Sequence, residues 1–391
     1  MDEHVIRLYA RSNQVFVSGK GATLVDTQGT SYLDFLGGIA VSALGHAHPR
    51  LVEALRDQVG KVLHTSNLFR HPYTEDVAGR LVRLAGMEAA FFANSGTEAN
   101  EAALKLARAH QHRRGDAKRT GYVALEGSFH GRTMGALSVT HTAKYRAPFE
   151  PLIPGVVFTP PDDSAALERT LHDVRPAGLI LEPIQGESGV RALSIDFLRA
   201  ARELCTQTGT VLIHDEVQAG CGRTGTFLAA DAAGIKPDVV TLAKPIAGGL
   251  PMGATLVSAP FVDALQPGDH GTTFGGGPLV LRAALVFLEE LEEHGLLATA
   301  RARGLELQAG LAQLVRDFPI AIEARGRGLM AGLRVAVDVK QVQATLLARG
   351  LLATTAGVDV LRLLPPFVVT AEEVDRGLCI LAETLKELSV R

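Results

Sequence analysis

Two charged residues stand at the ends of apolar segments of this 391-residue sequence, where their side chains could do chemistry together. Asp215 ends the segment VLIHD, and Lys244 follows the apolar segment VVTLA. A lysine among apolar neighbours tends to have a lowered pKa, so its neutral amine can act as a nucleophile. An aspartate at the carboxyl end of a buried strand lies where open α/β sheets bind ligands. Taken singly, Asp215 fits a loop cap equally well, and a lone lysine is usually solvated.

A third candidate is the segment NSGTEAN at residues 94–100, where an apolar strand meets the start of a helix. The free N–H groups at a helix N-terminus attract phosphate, and Gly96 permits a close approach. The simpler interpretation is a Ser95 cap with Glu98 in the first turn. The spacing lacks the GxxxxGK[ST] pattern, so it does not predict a nucleotide P-loop.

Together these three groups predict a pyridoxal phosphate site. A phosphate anchor, an acid that keeps the pyridine nitrogen protonated and a Schiff-base lysine are the parts that such an enzyme needs. We expect Asp215 and Lys244 to end neighbouring strands of one sheet, so that both face one cofactor. They are the predicted catalytic residues.

Short apolar segments alternate with helical patterns through the middle of the chain and must position these groups. Strands are predicted at 89–93, 122–125, 156–158, 178–181, 211–213 and 239–242, with helices at 96–112 and 195–207 among them. Strands that are apolar on both faces and alternate with helices are typical of a mostly parallel α/β sheet. We expect three parts: an N-terminal segment (1–50) that packs with the small domain, a large domain (51–278) and a smaller α+β domain (279–391).

The composition argues against several classes of protein. The net charge is −3 with no basic block, so nucleic acids and anionic membranes are poor partners. Three widely spaced cysteines, Cys205, Cys221 and Cys379, argue against a disulfide framework or a metal site and favour a reducing compartment. The N-terminal sequence MDEHVIRLYA lacks a signal-peptide pattern, and no apolar stretch reaches the roughly 18 residues of a membrane span. We therefore expect a soluble cytoplasmic protein.

The order of the motifs resembles that of the class III aminotransferases, and within them the acetylornithine aminotransferases. The resemblance runs through essentially the whole chain, from GGIAV and LGHAHP near the N-terminus to LRLLPP near the C-terminus. NSGTEANE, SFHGRT, EPIQGE, DEVQAGCGRTG and HGTTFGG occur between them in the family's order. The resemblance implies the α/β fold of a type I pyridoxal phosphate transferase, with a mostly parallel seven-stranded sheet in the large domain.

The resemblance also implies the residues that bind the cofactor. They are Gly96 and Thr97 at the phosphate, Phe129 and Val217 on the two ring faces, Asp215 at the pyridine nitrogen, Gln218 at the phenolic oxygen and Lys244 as the Schiff-base lysine. Thr273 would reach the phosphate of the partner subunit, so the resemblance implies an obligate homodimer with a shared active site.

The substrate residues come from the resemblance as well. Arg132 would clamp a substrate carboxylate, for which a planar bidentate donor is suited. Arg362 would be a switch that pairs with Glu187 in one half-reaction and with the α-carboxylate of glutamate in the other. Thr272 would lie near the substrate. Without the resemblance, an Arg–Glu pair is most simply a structural ion pair.

The implied reaction transfers the terminal amino group of N2-acetyl-L-ornithine to 2-oxoglutarate, in arginine biosynthesis. Donors of the acetyl-lysine type, succinylornithine, ornithine and 4-aminobutyrate fit the same residues, and an aminomutase would need no external acceptor. A dinucleotide-binding oxidoreductase is disfavoured, because no GxGxxG opens a helix after an early strand. Three positions depart from the family: Pro245 after the lysine, Gly277 in place of Asn, and Ser188 in place of Gly or Ala beside Glu187.

Overall fold

A computed structural model describes residues 4–390 of the chain. Residues 1–3 and 391, which belong to the predicted N-terminal segment and small domain, lie outside the described residues. The first part of the chain forms β1 (Phe16–Lys20), β2 (Thr23–Asp26), β3 (Ser31–Asp34), α1 (Gly37–Ala40), α2 (Pro49–Val59) and α3 (Tyr73–Ala85).

The middle of the chain contains nine strands and five helices, in the alternating order that the apolar pattern predicts. They are β4 (Ala89–Ala93), α4 (Gly96–Arg113), β5 (Tyr122–Leu125), α5 (Met134–Ser138), α6 (Ala143–Arg146), β6 (Val156–Thr159), α7 (Ser164–Val174), β7 (Gly178–Leu181), β8 (Ile184–Gln185), β9 (Arg191–Ala192), α8 (Ile195–Thr208), β10 (Val211–Asp215), β11 (Val239–Leu242) and β12 (Gly253–Val257). Short 3-10 helices lie at Ala147–Phe149, Ala229–Ala233, Lys244–Ala247 and Ala259–Phe261.

The last part of the chain mixes helices with short strands. It contains α9 (Pro278–Glu292), α10 (Leu296–Asp317), β13 (Ala321–Arg327), β14 (Met330–Val335), α11 (Val339–Ala348), β15 (Leu351–Leu352), β16 (Thr354–Ala356), β17 (Val360–Leu363) and α12 (Ala371–Ser389). Strands β13, β14, β17 and β16 form an antiparallel sheet in that order. Among the described residues, no helix is long and apolar enough to cross a membrane.

A seven-stranded sheet forms the centre of the molecule, in the order β4-β12-β11-β10-β7-β5-β6. The pairs formed by β10, β11, β7, β5 and β6 are parallel, whereas β12 pairs antiparallel with both β11 and β4. The prediction of a mostly parallel α/β sheet is therefore confirmed. Because β4, β11, β10 and β7 run the same way, their carboxyl ends meet at one edge of the sheet.

The central strands are buried on both faces, which explains their unbroken apolar sequence. In β10, Leu212 packs in one cluster with apolar residues of α7 and α8, and Val211 and Ile213 pack in another with residues of α4. Helix α4 begins at its Ser95 cap, whose side chain accepts a hydrogen bond from the N–H of Glu98. The sheet and this helix therefore have a fixed position relative to each other.

The N-terminal strands join the last part of the chain through one strand pair. Strand β3 pairs in parallel with β15, which completes a four-stranded sheet with β1 and β2. This pairing is compatible with an N-terminal segment that packs on the small domain. The limits of the three parts, at residues 50 and 278, stay a prediction.

We expect two glycine substitutions to change stability in opposite directions. A Cβ at Gly253 would lie 2.2 Å from the carbonyl oxygen of Ser95, so Gly253→Ala should destabilise the fold by about 1–3 kcal/mol through overpacking. Gly79 lies inside helix α3 with nothing within 4 Å of the added atom. Gly79→Ala, the matched control, should stabilise the fold by about 0.5–1 kcal/mol. Thermal unfolding of both variants at one protein concentration checks the two signs, and equal shifts would contradict this packing.

Candidate active site

A cavity of about 490 Å³ opens at the carboxyl edge of the seven-stranded sheet. Most of the predicted site residues line it, namely Gly96, Thr97, Phe129, Arg132, Asp215, Val217, Gln218 and Lys244. Four other predicted residues, Glu187, Thr272, Thr273 and Arg362, are not part of this lining. The structure thus brings together the groups at the ends of β4, β10 and β11.

The carboxylate of Asp215 is buried and held by three protein groups. Its Oδ1 accepts a hydrogen bond from the N–H of Val217 at 3.0 Å, and its Oδ2 lies 2.8 Å from both Asn100 Nδ2 and His130 Nδ1. The hydroxyl of Thr241, on the neighbouring strand, donates to Asn100 Oδ1 at 2.7 Å and so fixes the orientation of the side-chain amide. The carboxylate retains acceptor capacity toward the cavity, since each carboxylate oxygen has two lone pairs.

Lys244 follows β11 and begins a 3-10 turn. Burial lowers the pKa of its amine to about 8, and the nearby charge of Glu187 opposes the shift. Pro245, a departure from the family, occupies the first turn of this short helix, where an N–H has no helical partner. The substitution therefore costs no hydrogen bond within the turn, and Lys244 remains beside the cavity.

The N-terminus of α4 forms one wall of the cavity. The N–H groups of its first turn have no partner within the helix, and they carry the positive end of its dipole. Gly96 is required here, because a Cβ at this position would lie 2.6 Å from Cγ1 of Val217. The helix start and Val217 therefore pack side by side, and the free N–H groups are suited to an anion such as phosphate.

Phe129 lies on the cavity wall in a loop held by a buried carboxylate. Its N–H donates to Glu182 Oε1 at 2.8 Å, and the other oxygen of Glu182 accepts from the N–H of Gly186 at 3.3 Å. Burial raises the pKa of Glu182 to about 7. Glu182 directly follows β7, so its carboxyl group lies at the same sheet edge as Asp215.

Arg132 stands at the mouth of the cavity on a loop that is tied to α4. Thr133, next to it, lies 2.8 Å from the hydroxyl of Thr97 and donates to Glu101 Oε1 at 2.5 Å. The same oxygen accepts from the N–H groups of Gly135 and Ala136. These bonds fix the backbone of Arg132 relative to the predicted phosphate site.

Arg362 and Glu187 form the ion pair that the resemblance implies. Arg362 is 2% exposed, and its Nη1 lies 2.6 Å from Glu187 Oε1. The same nitrogen donates to the carbonyl of Gly186 and to Gln218 Oε1, both at 3.1 Å. Burial acts to raise the pKa of Glu187, but the charge and hydrogen bond of Arg362 outweigh burial and lower it. Gln218 therefore connects this pair to the cavity.

Thr272 and Thr273 lie beside the cavity on an exposed loop. The hydroxyl of Thr272 accepts a hydrogen bond from Asn94 Nδ2 at 3.2 Å, and its carbonyl accepts from Asn67 Nδ2 at 2.9 Å. Thr273 is exposed in the single chain. It is not part of the cavity lining of its own chain.

The two other departures from the family lie near these residues without removing a charged group. Ser188 donates to Gln185 Oε1 at 3.1 Å, and Gln185 donates in turn to the carbonyl of Glu126 at 2.9 Å. Ser188 thus reinforces the turn that carries Glu187. Gly277 occupies the N-cap position of α9 and supplies no side-chain cap.

Three residues of the site are not among the predicted ones. Asn100 and His130 bind the carboxylate of Asp215, and Glu182 holds the backbone of Phe129. All three lie within the quoted motifs NSGTEANE, SFHGRT and EPIQGE. A signal for Asn100 exists in the sequence, because asparagine is a poor residue for a helix interior unless its amide has a partner.

The donor set fits pyridoxal phosphate. The start of α4 suits its phosphate, Asp215 suits a protonated ring nitrogen, and Lys244 suits its aldehyde. Phe129 and Val217 supply apolar contacts for a flat ring, and both line the same cavity. Thus every functional group of that cofactor has a chemically suitable partner in this cavity.

Known proteins show the same fold and sequence pattern. The family model "Aminotransferase class-III" matches residues 8–385. Acetylornithine aminotransferase 1 of Bordetella bronchiseptica is 42% identical over 389 residues, which cover 99% of this chain and 98% of that protein. N-acetylornithine aminotransferase from Stenotrophomonas maltophilia has a TM-score of 0.85 at 35% identity, with 98% and 99% of the chains covered. Ornithine aminotransferase from Toxoplasma gondii, with partial occupancy of PLP at its active site, has a TM-score of 0.94 at 33% identity, with 100% and 94% covered.

We expect Lys244→Met to stabilise the ligand-free protein in a pH-dependent manner. The pKa of this amine is about 8 in the folded chain, against 10.5 ordinarily, so the folded state resists protonation of the lysine. The cost is complete below pH 8, declines as the pH rises to 10.5 and is absent above it. At pH 7 the variant should gain about 3 kcal/mol, and by pH 9 about 1.4 kcal/mol of that gain should be lost.

Unfolding by urea at both pH values measures the two gains. Lys118→Met is the matched control, because Lys118 is exposed and its replacement should give no gain that depends on pH. A gain for Lys244→Met that is the same at pH 7 and pH 9 would contradict a lowered pKa.

Proposed function

This chain belongs to the class III aminotransferases, and from that membership we propose that it transfers the terminal amino group of N2-acetyl-L-ornithine to 2-oxoglutarate. The products are N-acetylglutamate 5-semialdehyde and glutamate, in arginine biosynthesis. The enzyme depends on pyridoxal phosphate. The observation that carries the proposal is the single cavity in which Lys244, Asp215 and the start of α4 meet.

Each part of the cavity would hold one part of the cofactor. The N–H groups of Gly96 and Thr97 would bind the phosphate, and Asp215 would accept a hydrogen bond from the ring nitrogen. Phe129 and Val217 would contact the two faces of the ring. Gln218 accepts from Arg362 through its Oε1, and its amide nitrogen would donate to the phenolic oxygen.

The catalytic role of this chain is to move one proton. When bound, pyridoxal phosphate withdraws electrons from the substrate carbon that loses this proton. The amine of Lys244 has a pKa of about 8, near the working pH, so it can accept the proton and return it. Asp215 is held by Asn100 and His130, and its negative charge would keep the ring nitrogen protonated.

Each of the two arginines would bind the carboxylate of a different substrate. Arg132, at the mouth of the cavity, would bind the carboxylate of the amino donor through its planar guanidinium. Arg362 is paired with Glu187, and this pair would stay closed while the donor is bound. It would open when glutamate or 2-oxoglutarate brings its α-carboxylate to Arg362.

The cavity favours a donor whose α-nitrogen is acylated, because neither carboxylate of its described lining is left to pair with a charged α-amine. Among the described residues, the lining contains two carboxylates, Glu182 and Asp215, and both accept hydrogen bonds from protein groups. The charged α-amine of ornithine would need such an acid, whereas an acetylated nitrogen is neutral. Succinylornithine and acetyl-lysine-type donors are acylated too, and 4-aminobutyrate has no α-amine, so these remain the alternatives.

We also propose that two copies form the active sites together. The exposed apolar side chains Leu68, Phe69 and Phe274, 88%, 70% and 68% exposed, lie close to the cavity, and such a patch is typical of an interface. The ring of Phe274 lies 5.4 Å from that of His64, so both loops belong to one surface. Thr273, which precedes Phe274 in the sequence, would then reach the phosphate of the second copy.

A cytoplasmic location agrees with the state of the cysteines. Cys205, Cys221 and Cys379 are all free thiols. Free thiols are typical of a reducing compartment. We therefore place the enzyme in the cytoplasm.

We expect purified enzyme with pyridoxal phosphate to form glutamate from N-acetylornithine and 2-oxoglutarate. Omission of 2-oxoglutarate should stop turnover, which separates a transferase from an aminomutase. Lys244→Ala should lose the visible absorbance of the lysine-bound cofactor and at least about 99.9% of turnover, because no other group can move the proton. Ornithine, succinylornithine, acetyl-lysine and 4-aminobutyrate are compared as donors by kcat/KM. A higher kcat/KM for any of them would replace the proposed donor, and a fully active Lys244→Ala enzyme would remove the whole assignment.

We expect Thr273→Ala to weaken cofactor binding about tenfold or more, because a hydrogen bond to a charged phosphate is lost. Mixed dimers of a Thr273→Ala chain with a Lys244→Ala chain contain one site with an intact lysine and an intact partner threonine. At limiting pyridoxal phosphate, these mixed dimers should recover activity that neither parent shows.

Separately tagged chains, co-purified through both tags, isolate the mixed dimers. Thr120→Ala, another exposed threonine, is the control and should leave cofactor affinity unchanged. Lack of recovery in the mixed dimers would mean that Thr273 serves its own subunit.

A further inference from the structure

The guanidinium of Arg132 is held by aromatic rings and not by an acid. Its Cζ lies 3.7 Å from the ring centre of Tyr145 and 5.5 Å from that of Phe129. Within residues 4–390 it makes no ion pair and no hydrogen bond. All five N–H donors of Arg132 are therefore available to a ligand, while stacking restricts the orientation of the side chain.

Tyr145 presents its ring face, and not its hydroxyl, to this arginine. Its ring meets that of Phe129 edge-on, with centres 6.3 Å apart and planes at 84°. The hydroxyl of Tyr145 forms no hydrogen bond with any described residue. The contact with Arg132 thus depends on an aromatic ring and not on a phenol.

The position of Tyr145 is fixed by the central sheet. Tyr145 lies on the short helix α6, and the next residue, Arg146, places its guanidinium 4.8 Å from the ring centre of Phe158 in strand β6. His141, before the helix, packs its ring 5.1 Å from the same Phe158 ring. Helix α6 is therefore anchored to the edge strand, and Tyr145 is a firm support for a side chain at the cavity mouth.

We propose that Tyr145 is a positioning residue that selects amino donors with a carboxylate by pre-ordering Arg132. A free arginine side chain must lose rotamer freedom when it binds a carboxylate, and one that is already stacked loses less. Tyr145 itself does not line the cavity, so we expect it to change donor binding and not proton transfer. This inference rests on the proposed binding of the donor carboxylate by Arg132.

The test compares three variants of the enzyme loaded with pyridoxal phosphate. Tyr145→Leu removes the ring, Tyr145→Phe keeps the ring without the hydroxyl, and Phe149→Leu removes a neighbouring exposed ring that contacts neither Arg132 nor the cavity. Binding is measured by calorimetry with N-acetyl-L-norvaline, which has the carboxylate and acyl group of the donor but no amine to react. The KM and kcat for N-acetylornithine are measured beside it.

Loss of the ring should weaken binding of N-acetyl-L-norvaline and raise KM about 3- to 30-fold, the range expected from the rotamer freedom that a stacked arginine no longer has to lose. The kcat should stay within about twofold, because a contact made equally in the ground and transition states alters KM alone. Tyr145→Phe and Phe149→Leu should match the unchanged enzyme. Unaltered binding in Tyr145→Leu, or an equal loss in Tyr145→Phe, would overturn the proposal.

A double-mutant cycle separates this role from general structural damage. In an Arg132→Leu background, Tyr145→Leu should cause no further loss, since the two residues act as one unit. Fully additive losses would mean that Tyr145 acts without Arg132, against the proposal. If the unchanged enzyme does not use N-acetylornithine, the proposed donor fails by itself. The same variants are then compared with the carboxylate donor that the enzyme does use, and the same outcomes decide the role of Tyr145.

Discussion

The buried carboxylate of Asp215 is the constraint on which the site depends. A charge at this position, away from water, is tolerated only when it is hydrogen-bonded, and the supporting network of bonds comes from three separate parts of the chain. Asn100 brings α4 to the end of β10, His130 brings the loop after β5, and Thr241 orients Asn100 from β11. The hydrogen bonds around one carboxylate therefore also set the distances between the start of α4, the loop that carries Phe129 and the turn that carries Lys244.

Much of the large sheet could be predicted, because strands buried on both faces leave continuous apolar segments in the sequence. Strand β12 could not, since GATLV lies after a glycine-rich turn and its antiparallel place between β11 and β4 depends on pairing across the sheet. Helix α3 was also absent from the prediction. Its buried apolar residues Val77, Leu81 and Ala85 recur every four positions, so a helical pattern for this segment is present in the sequence.

The groups of the site that act at strand ends were predictable from local pattern, but their supports were not. Lys244 and Asp215 are recognisable because a charged residue ends an apolar segment. Glu182 has the same signal, but its role depends on Phe129, which is far away in sequence. Tyr145 has no local signal, since only the folded chain shows that its ring lies against Arg132.

The bond between Arg362 and the turn between β8 and β9 connects two parts of the chain that are far apart in sequence. Arg362 belongs to the antiparallel sheet of the last part of the chain, whereas Gly186 and Glu187 lie in the turn between β8 and β9, and Gln218 follows β10 of the central sheet. In the proposed reaction, a substrate carboxylate that takes Arg362 from Glu187 would also remove this link between the two parts. The enzyme would then be more rigid when it binds the donor than when it binds the acceptor, so its rigidity would alternate within one catalytic cycle.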